Sequence, residues 1–167
     1  MLISKEEIAK HREVSRSVRD DKINPYIEDA EYLDLKPLLG ESLYNDLIAN
    51  KTDLKYINLL EPKNYQHNGK EYTHKGLNKV ISLFAYARYV LFGSFTDTAF
   101  GFVEKSNNDS QPVSNEFKRN IYTKDRQAAV SYLNDVLVFI SRNRDVYPTS
   151  NGSCGTRSTG FRISKIS

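Results

Sequence analysis

Between residues 73 and 92 the chain reads THKGLNKVISLFAYARYVLF, and from Val80 to Phe92 only Ser82 and Arg88 interrupt an apolar run. A surface helix of a globular domain is apolar along one stripe, whereas a helix apolar on every side must be buried on every side. About 13 such residues at 1.5 Å each make a rod of roughly 20 Å, too short to cross a bilayer. Residues 73–92 are therefore expected to form the central helix of a small bundle, started by Thr73 and stopped at Gly93 in a left-handed C′ position. Inside that apolar frame the Arg88 guanidinium either reaches past the aromatic side chains to water or pairs structurally with a carboxylate, for which Glu28, Glu31 and Asp34 are the candidates.

Other segments supply the walls of such a bundle. Ser4 and Glu7 form a capping-box pattern ahead of Ile8. Ile23, Ile27, Ala30 and Leu33 make an apolar stripe on a helix that begins at Asp20 or Asp21, tolerates Pro25 near its start and breaks at Lys36-Pro37. The other face of that helix carries Glu28, Asp29, Glu31 and Asp34, either a solvated acidic face or a surface for a basic neighbour. A helix over 41–50 buries Leu43 and Leu47 with Tyr44 and Ile48. Another, capped by Thr52, places Leu54, Ile57 and Leu60 inward until Pro62 ends it. Asn68-Gly69, in the middle of YQHNGKEY, predicts a type I′ turn and a small hairpin over 65–72. Residues 95–104 fit an extended strand or a short helix. From 114 to 144 a long helix carries Phe117, Ile121, Ala128, Tyr132, Val136 and Ile140 on one stripe, widened by Ala129, Leu133 and Leu137. The expected fold is mainly α.

The 167 residues suffice for one core. The single cysteine, Cys154, excludes an internal disulfide framework and reads as an incidental thiol. His11, His67 and His74 stand at no metal-ligand spacing and read as surface histidines, although His67 and His74 flank the hairpin and could meet. No phosphate-cradling glycine loop, nucleophile elbow or Cys/His couple is present, so nothing argues for catalysis, a cofactor or a metal. No long apolar run follows the first residues, and neither a signal peptide nor a membrane anchor is expected. Eleven tyrosines and no tryptophan offer amphipathic contact area suited to protein interfaces.

The composition changes after Pro148. Residues 149–160 are rich in Ser, Gly and Thr, and FRISKI follows, with Phe161 and Ile163 alternating against Arg162 and Ser164 and with Lys165 and Ile166 at its end. Arg157, Arg162 and Lys165 carry the whole net charge of +3. The chain thus divides into a helical domain, 1–148, and an extended basic arm, 149–167, which is expected to add a strand to a neighbouring chain or plug a groove there.

Three blocks, NPYIEDAEYLDLKPLLGESLYNDL at 24–47, GLNKVISLFAYARYV at 76–90 and TDTAFGFVEKSN at 96–107, give the chain a family likeness. In their order it resembles small helical tailed-phage proteins common in phages of Bacteroidetes hosts, crAss-like phages among them. In layout these are similar to the head-to-tail connector, or adaptor, proteins that form a ring below the portal. The likeness covers about residues 1–148 and rests on no catalytic signature. It implies a structural virion subunit of the neck, without enzymatic activity or cofactor and not in a membrane. It further implies a closed ring, twelve-fold to match the portal, that contacts the portal and other neck or tail rings and surrounds DNA without reading its sequence. Such a ring requires two different surfaces on each subunit. The acidic residues Glu28, Glu31 and Asp34 are one candidate surface, and Arg157, Phe161, Arg162, Ile163, Lys165 and Ile166 the other. Apolar surface left over near Tyr86, Tyr89 and Phe92 would be covered by the next subunit. The alternative is a small helical nucleic-acid-binding or regulatory module.

Overall fold

The central helix, α6, spans Leu77–Phe92, and every residue from Val80 to Ala85 is buried. The computed structural model describes residues 1–93, 95–98, 101–104 and 113–147. Ser82 sits inside the apolar run because its Oγ donates to the Asn78 main-chain carbonyl at 2.7 Å, so that its hydroxyl is paired. The second half of α6 is less enclosed, and Phe92 is exposed.

α6 starts four residues later than its apolar run implies, since Thr73 and His74 belong to a strand. The N-cap is Gly76, at φ 77°, where a Cβ would lie 2.2 Å from the Leu60 carbonyl oxygen. Only glycine accepts both the positive φ and that approach. At the other end Gly93 keeps a right-handed φ of −77° instead of the left-handed one, because its N–H closes an ordinary helical bond on the Tyr89 carbonyl.

The longest helix, α7 (Asn115–Arg142), is capped by Ser114, whose Oγ accepts from the Phe117 N–H at 3.2 Å. It packs antiparallel to α6, with Lys79 over Tyr132 near one end and Phe92 against Tyr122 near the other. Ala129, Leu133, Val136, Phe139 and Ile140 are its buried apolar residues. Phe117 lies outside, and the buried line continues toward the N-terminus through Asp125 and Lys118. The expected stripe is thus displaced in that half, because a charged side chain occupies the inward position.

A third wall is one long helical run. α2 (Asp20–Asp29) passes into a π-helical segment, Ala30–Leu35, and then into α3 (Lys36–Leu39). Lys36-Pro37 does not break it. Pro37 falls at the start of α3, just past the wide turn, where the clash with a carbonyl four residues back is relieved. A turn wider than 3.6 residues aligns positions four apart, so Ala30 with Asp34 and Glu31 with Leu35 all face inward. Tyr32 and Leu33 are turned outward, 59% and 54% exposed, contrary to the inward position the apolar spacing implies for Leu33.

α4 (Glu41–Ala49) buries Leu43, Tyr44 and Leu47, while Ile48 stays at the surface. α5 (Leu54–Leu60) is capped at Asp53, not Thr52, and turns Tyr56, Leu59 and Leu60 inward, leaving Leu54 and Ile57 outside. Burying the Tyr56 ring wins over the three-residue spacing, and its hydroxyl donates to Asp46 at the rim. β1 (Lys63–His67) and β2 (Lys70–His74) pair antiparallel around Asn68 and Gly69, at φ 51° and 72°, as the expected type I′ turn requires. β3 (Phe95–Thr98) and β4 (Gly101–Glu104) form a second hairpin, which decides for strand in that segment. α1 (Lys5–Ala9) has no capping box: Ser4 Oγ donates to Glu6, and Glu7 faces Lys10 and His11. Tyr147 closes the described chain by donating to the Lys55 carbonyl at 2.6 Å. The fold is mainly α, and among the described residues no helix is long and apolar enough to cross a membrane.

Candidate functional site

The densest cluster of charged side chains lies where the π-helical segment meets α6 and α7. Arg88 donates from Nε to one oxygen of Asp34 at 2.7 Å, and Arg126 donates from Nη1 to the other at 2.6 Å. Asp34 is 5% exposed, so both guanidinium groups are anchored on a buried carboxylate. Asp29 stands 3.8 Å from Arg88 at the exposed edge. The Arg126 guanidinium also lies over the rings of Phe84 and Tyr122, which cover its apolar faces. Of the three carboxylates proposed for Arg88, Asp34 is its partner, and the pairing ties three walls of the bundle together.

The acidic surface expected on α2 is smaller than its sequence implies. Glu28 is exposed, but Glu31 and Asp34 are buried and occupied within the chain, which removes both from any direct partner contact. The cause is the wide turn, which rotates them inward. Glu31 accepts the Leu2 N–H at 2.5 Å and thereby fixes the first residues of the chain, while burial pushes its carboxyl above the usual range. A further tie absent from the sequence reading is Arg12 to Asp125, with Nη2 to Oδ1 at 2.6 Å and Nε shared between both oxygens at 3.2 Å. Its signal was the phase of Asp125, four residues ahead of Ala129 on the buried line of α7.

Tyr86 and Tyr89 are half-buried, with Tyr26 edge-on to Tyr89 at 6.0 Å, and burial pushes their phenols upward. Their rings are partly covered within the chain; Phe92 is the more open of the three residues. His74 is fully buried between Tyr65 and Phe139 rather than at the surface, with Nδ1 accepting the Gly76 N–H at 3.2 Å and Nε2 unpaired. Among the described residues no group of histidine, cysteine and carboxylate side chains is arranged to hold a metal ion. The outer side of the π-helical segment and α3 bears a shallow hollow of about 380 Å³ lined by Tyr32, Lys36, Pro37, Gly40 and Glu41. Lys36 bridges it, 2.9 Å from Glu41 and 4.4 Å from the Tyr32 ring centroid. Arg157, Phe161, Arg162, Ile163, Lys165 and Ile166 lie outside the described residues.

Among the described residues the charged groups of this cluster hold helices together, and the exposed groups offer contact surface. Residues 35–160 match the family of unknown function DUF6712. The chain belongs to that family. The match begins at the end of the π-helical segment, takes in α3 to α7 and both hairpins, and runs past residue 148 into the basic arm. No curated protein and no solved structure matches the chain.

Proposed function

We propose that this DUF6712 protein is a structural virion component, a head-to-tail connector subunit. It assembles as a closed ring, twelve-fold to match the portal, continues the DNA channel below it and joins capsid to tail. Its role is assembly rather than catalysis. The likeness of the blocks at 24–47, 76–90 and 96–107 to tailed-phage connector proteins motivates the reading.

The observation that carries it is the outer face of the run from α2 to α3. Tyr32, Leu33 and Leu38 are exposed there, beside the exposed acids Glu28 and Asp29. An aromatic and aliphatic centre with a charged rim is the composition of a subunit contact. The basic arm, 149–167, is the proposed opposite member, reaching the neighbouring subunit or the portal. The mass of the protein, measured by light scattering alone and with the portal, tests this. A closed oligomer in either condition is expected, and a chain that stays monomeric with portal present would overturn it. The alternative, a monomeric nucleic-acid-binding or regulatory module, predicts that second outcome.

A further inference from the structure

The outer face of the run from α2 to α3 has an apolar centre and acids around it. Tyr32, Leu33 and Leu38 are exposed, Glu28 and Asp29 stand exposed one turn before the first two, and Glu41 is exposed just past Leu38. The cations nearby are already held: Lys36 by Glu41 at 2.9 Å and Arg88 by Asp34 at 2.7 Å. The sequence after residue 148 has the converse composition. Its large apolar residues, Phe161, Ile163 and Ile166, lie among Arg157, Arg162 and Lys165, with no acid. Ion pairs at an exposed rim are worth little each, so the apolar groups would carry such a contact and the charges would orient it.

Distance decides whose arm arrives first. Arg126, 2.6 Å from Asp34, marks where α7 passes the run, and Phe139, 13 positions further on, packs against Tyr147 with ring centroids 5.8 Å apart. At 1.5 Å per residue the arm therefore starts about 20 Å along α7 from the face. From Tyr147 to Phe161 there are 14 residue steps, most of them through Ser, Gly and Thr. A Gly/Ser-rich chain of that length has a root-mean-square span of roughly 19–22 Å, and fully extended it reaches about 46 Å, enough to pass round to the outer side. A linker whose span matches the distance between its two sites presents one to the other at an effective concentration on the order of millimolar. A contact with a Kd of about 1 mM is then half closed within one chain, and a second copy at micromolar concentration cannot compete for the face.

We propose that in the free subunit the segment Phe161–Ile166 seats on the outer α2 to α3 face of its own chain, and that the ring contact is this same contact exchanged between copies. Exchange of an identical element between protomers is a low-cost route to assembly, because each contact broken in one chain is remade in the next. The exchange rests on the connector reading; the seating of the arm on its own chain does not, and the two are tested apart.

The test uses the full chain with Cys154→Ser/Ser164→Cys carrying a spin label, at about 50 µM, far below the effective concentration. Amide signals of residues 28–41 are expected to lose intensity relative to the same sample with the label reduced. They should keep it when a labelled chain without the isotope is mixed with an isotope-enriched chain without the label. Leu33→Ser/Leu38→Ser, at two exposed positions, is expected to abolish the loss while the remaining amide spectrum stays that of the folded chain. No loss over 28–41, or a loss that persists in the Leu33→Ser/Leu38→Ser chain, would overturn the proposal. A loss in the mixed sample as large as within one chain would also overturn it and leave the connector reading standing. Loss confined to one chain, in a protein that stays monomeric by light scattering with portal present, would uphold the seating and overturn the connector reading.

Discussion

Asp34 receives two guanidinium groups at a buried position, which makes it the residue whose loss leaves the most uncompensated charge. Removing one member of a buried pair typically costs about 3–5 kcal/mol. Because Arg126 is partly exposed and water can take over its charge, Asp34→Ala is expected near the lower end, about 3 kcal/mol. Asp29→Ala, at an exposed and longer contact, should cost below about 1 kcal/mol. Urea unfolding of both variants checks the order, and equal costs would show that Asp34 is not the anchor.

That Arg88 needs a carboxylate was legible from its place in an apolar run. That the carboxylate is Asp34 was legible only in the phase, since Asp34 follows Ile23, Ile27 and Ala30 by eleven, seven and four residues, positions that share a helix face. Reading the stripe through apolar residues alone selected Leu33, and so left Asp34 as one of three candidates. His74 was misread for a related reason: a histidine near a turn looks solvent-exposed until Phe139, distant in sequence, covers it.

Burial and nearby Lys63 hold the His74 imidazole below its ordinary range, with Asp135 opposing. A base whose folded pKa lies below its unfolded value binds its proton first in the unfolded chain, so stability falls as pH drops below about 6.5, by up to about 1.4 kcal/mol per pH unit. His11 is shifted the same way by its own burial, which makes the comparison with a variant necessary. His74→Asn keeps an acceptor for the Gly76 N–H but does not titrate. Its melting temperature should fall less between pH 7.5 and pH 5.5 than that of wild type, and parallel falls would show that His74 does not titrate with unfolding.

At the scale of elements, what the sequence determines locally was legible and what depends on distant packing was not. Asn68-Gly69 specifies its own turn, and the all-round apolar run specifies a buried helix. The face that α5 buries depends on where the Tyr56 ring can go, and the start of α6 depends on β2 continuing to His74. The π-helical segment has no local signature, since its wide turn brings Asp34 and Leu35 inward together to partners on other helices. The junction into α6 carries the sharpest backbone requirement. Gly76→Ala would place a methyl group against the Leu60 carbonyl at a positive φ. A loss of about 3 kcal/mol or more is expected, because neither main chain can yield cheaply. Thermal melts check it, and a loss under about 1 kcal/mol would mean that the junction relaxes.

At the scale of the whole molecule, the bundle buries its charged ties and exposes an apolar contact surface with an acidic rim. The outer side of the run from α2 to α3 presents Tyr32, Leu33 and Leu38, while at the hairpin the Arg142 guanidinium lies over the Tyr72 ring. The acidic Glu28 and Asp29 flank that outer side. This face and the basic arm are unlike surfaces, which suits heterologous contacts, and these close into a ring when the rotation between neighbours divides the circle. The mainly helical class, the long C-terminal helix and the first hairpin were legible from sequence; the extent of the acidic surface was not, because it depends on the wide turn.

The central claim, a connector subunit below the portal, is tested most directly by electron microscopy of virions containing this protein, with an antibody fragment or a fused density marking its position. The account predicts marked density as a closed ring at the neck, between portal and tail. Marked density elsewhere in the particle, or its absence from particles with complete necks, would contradict it.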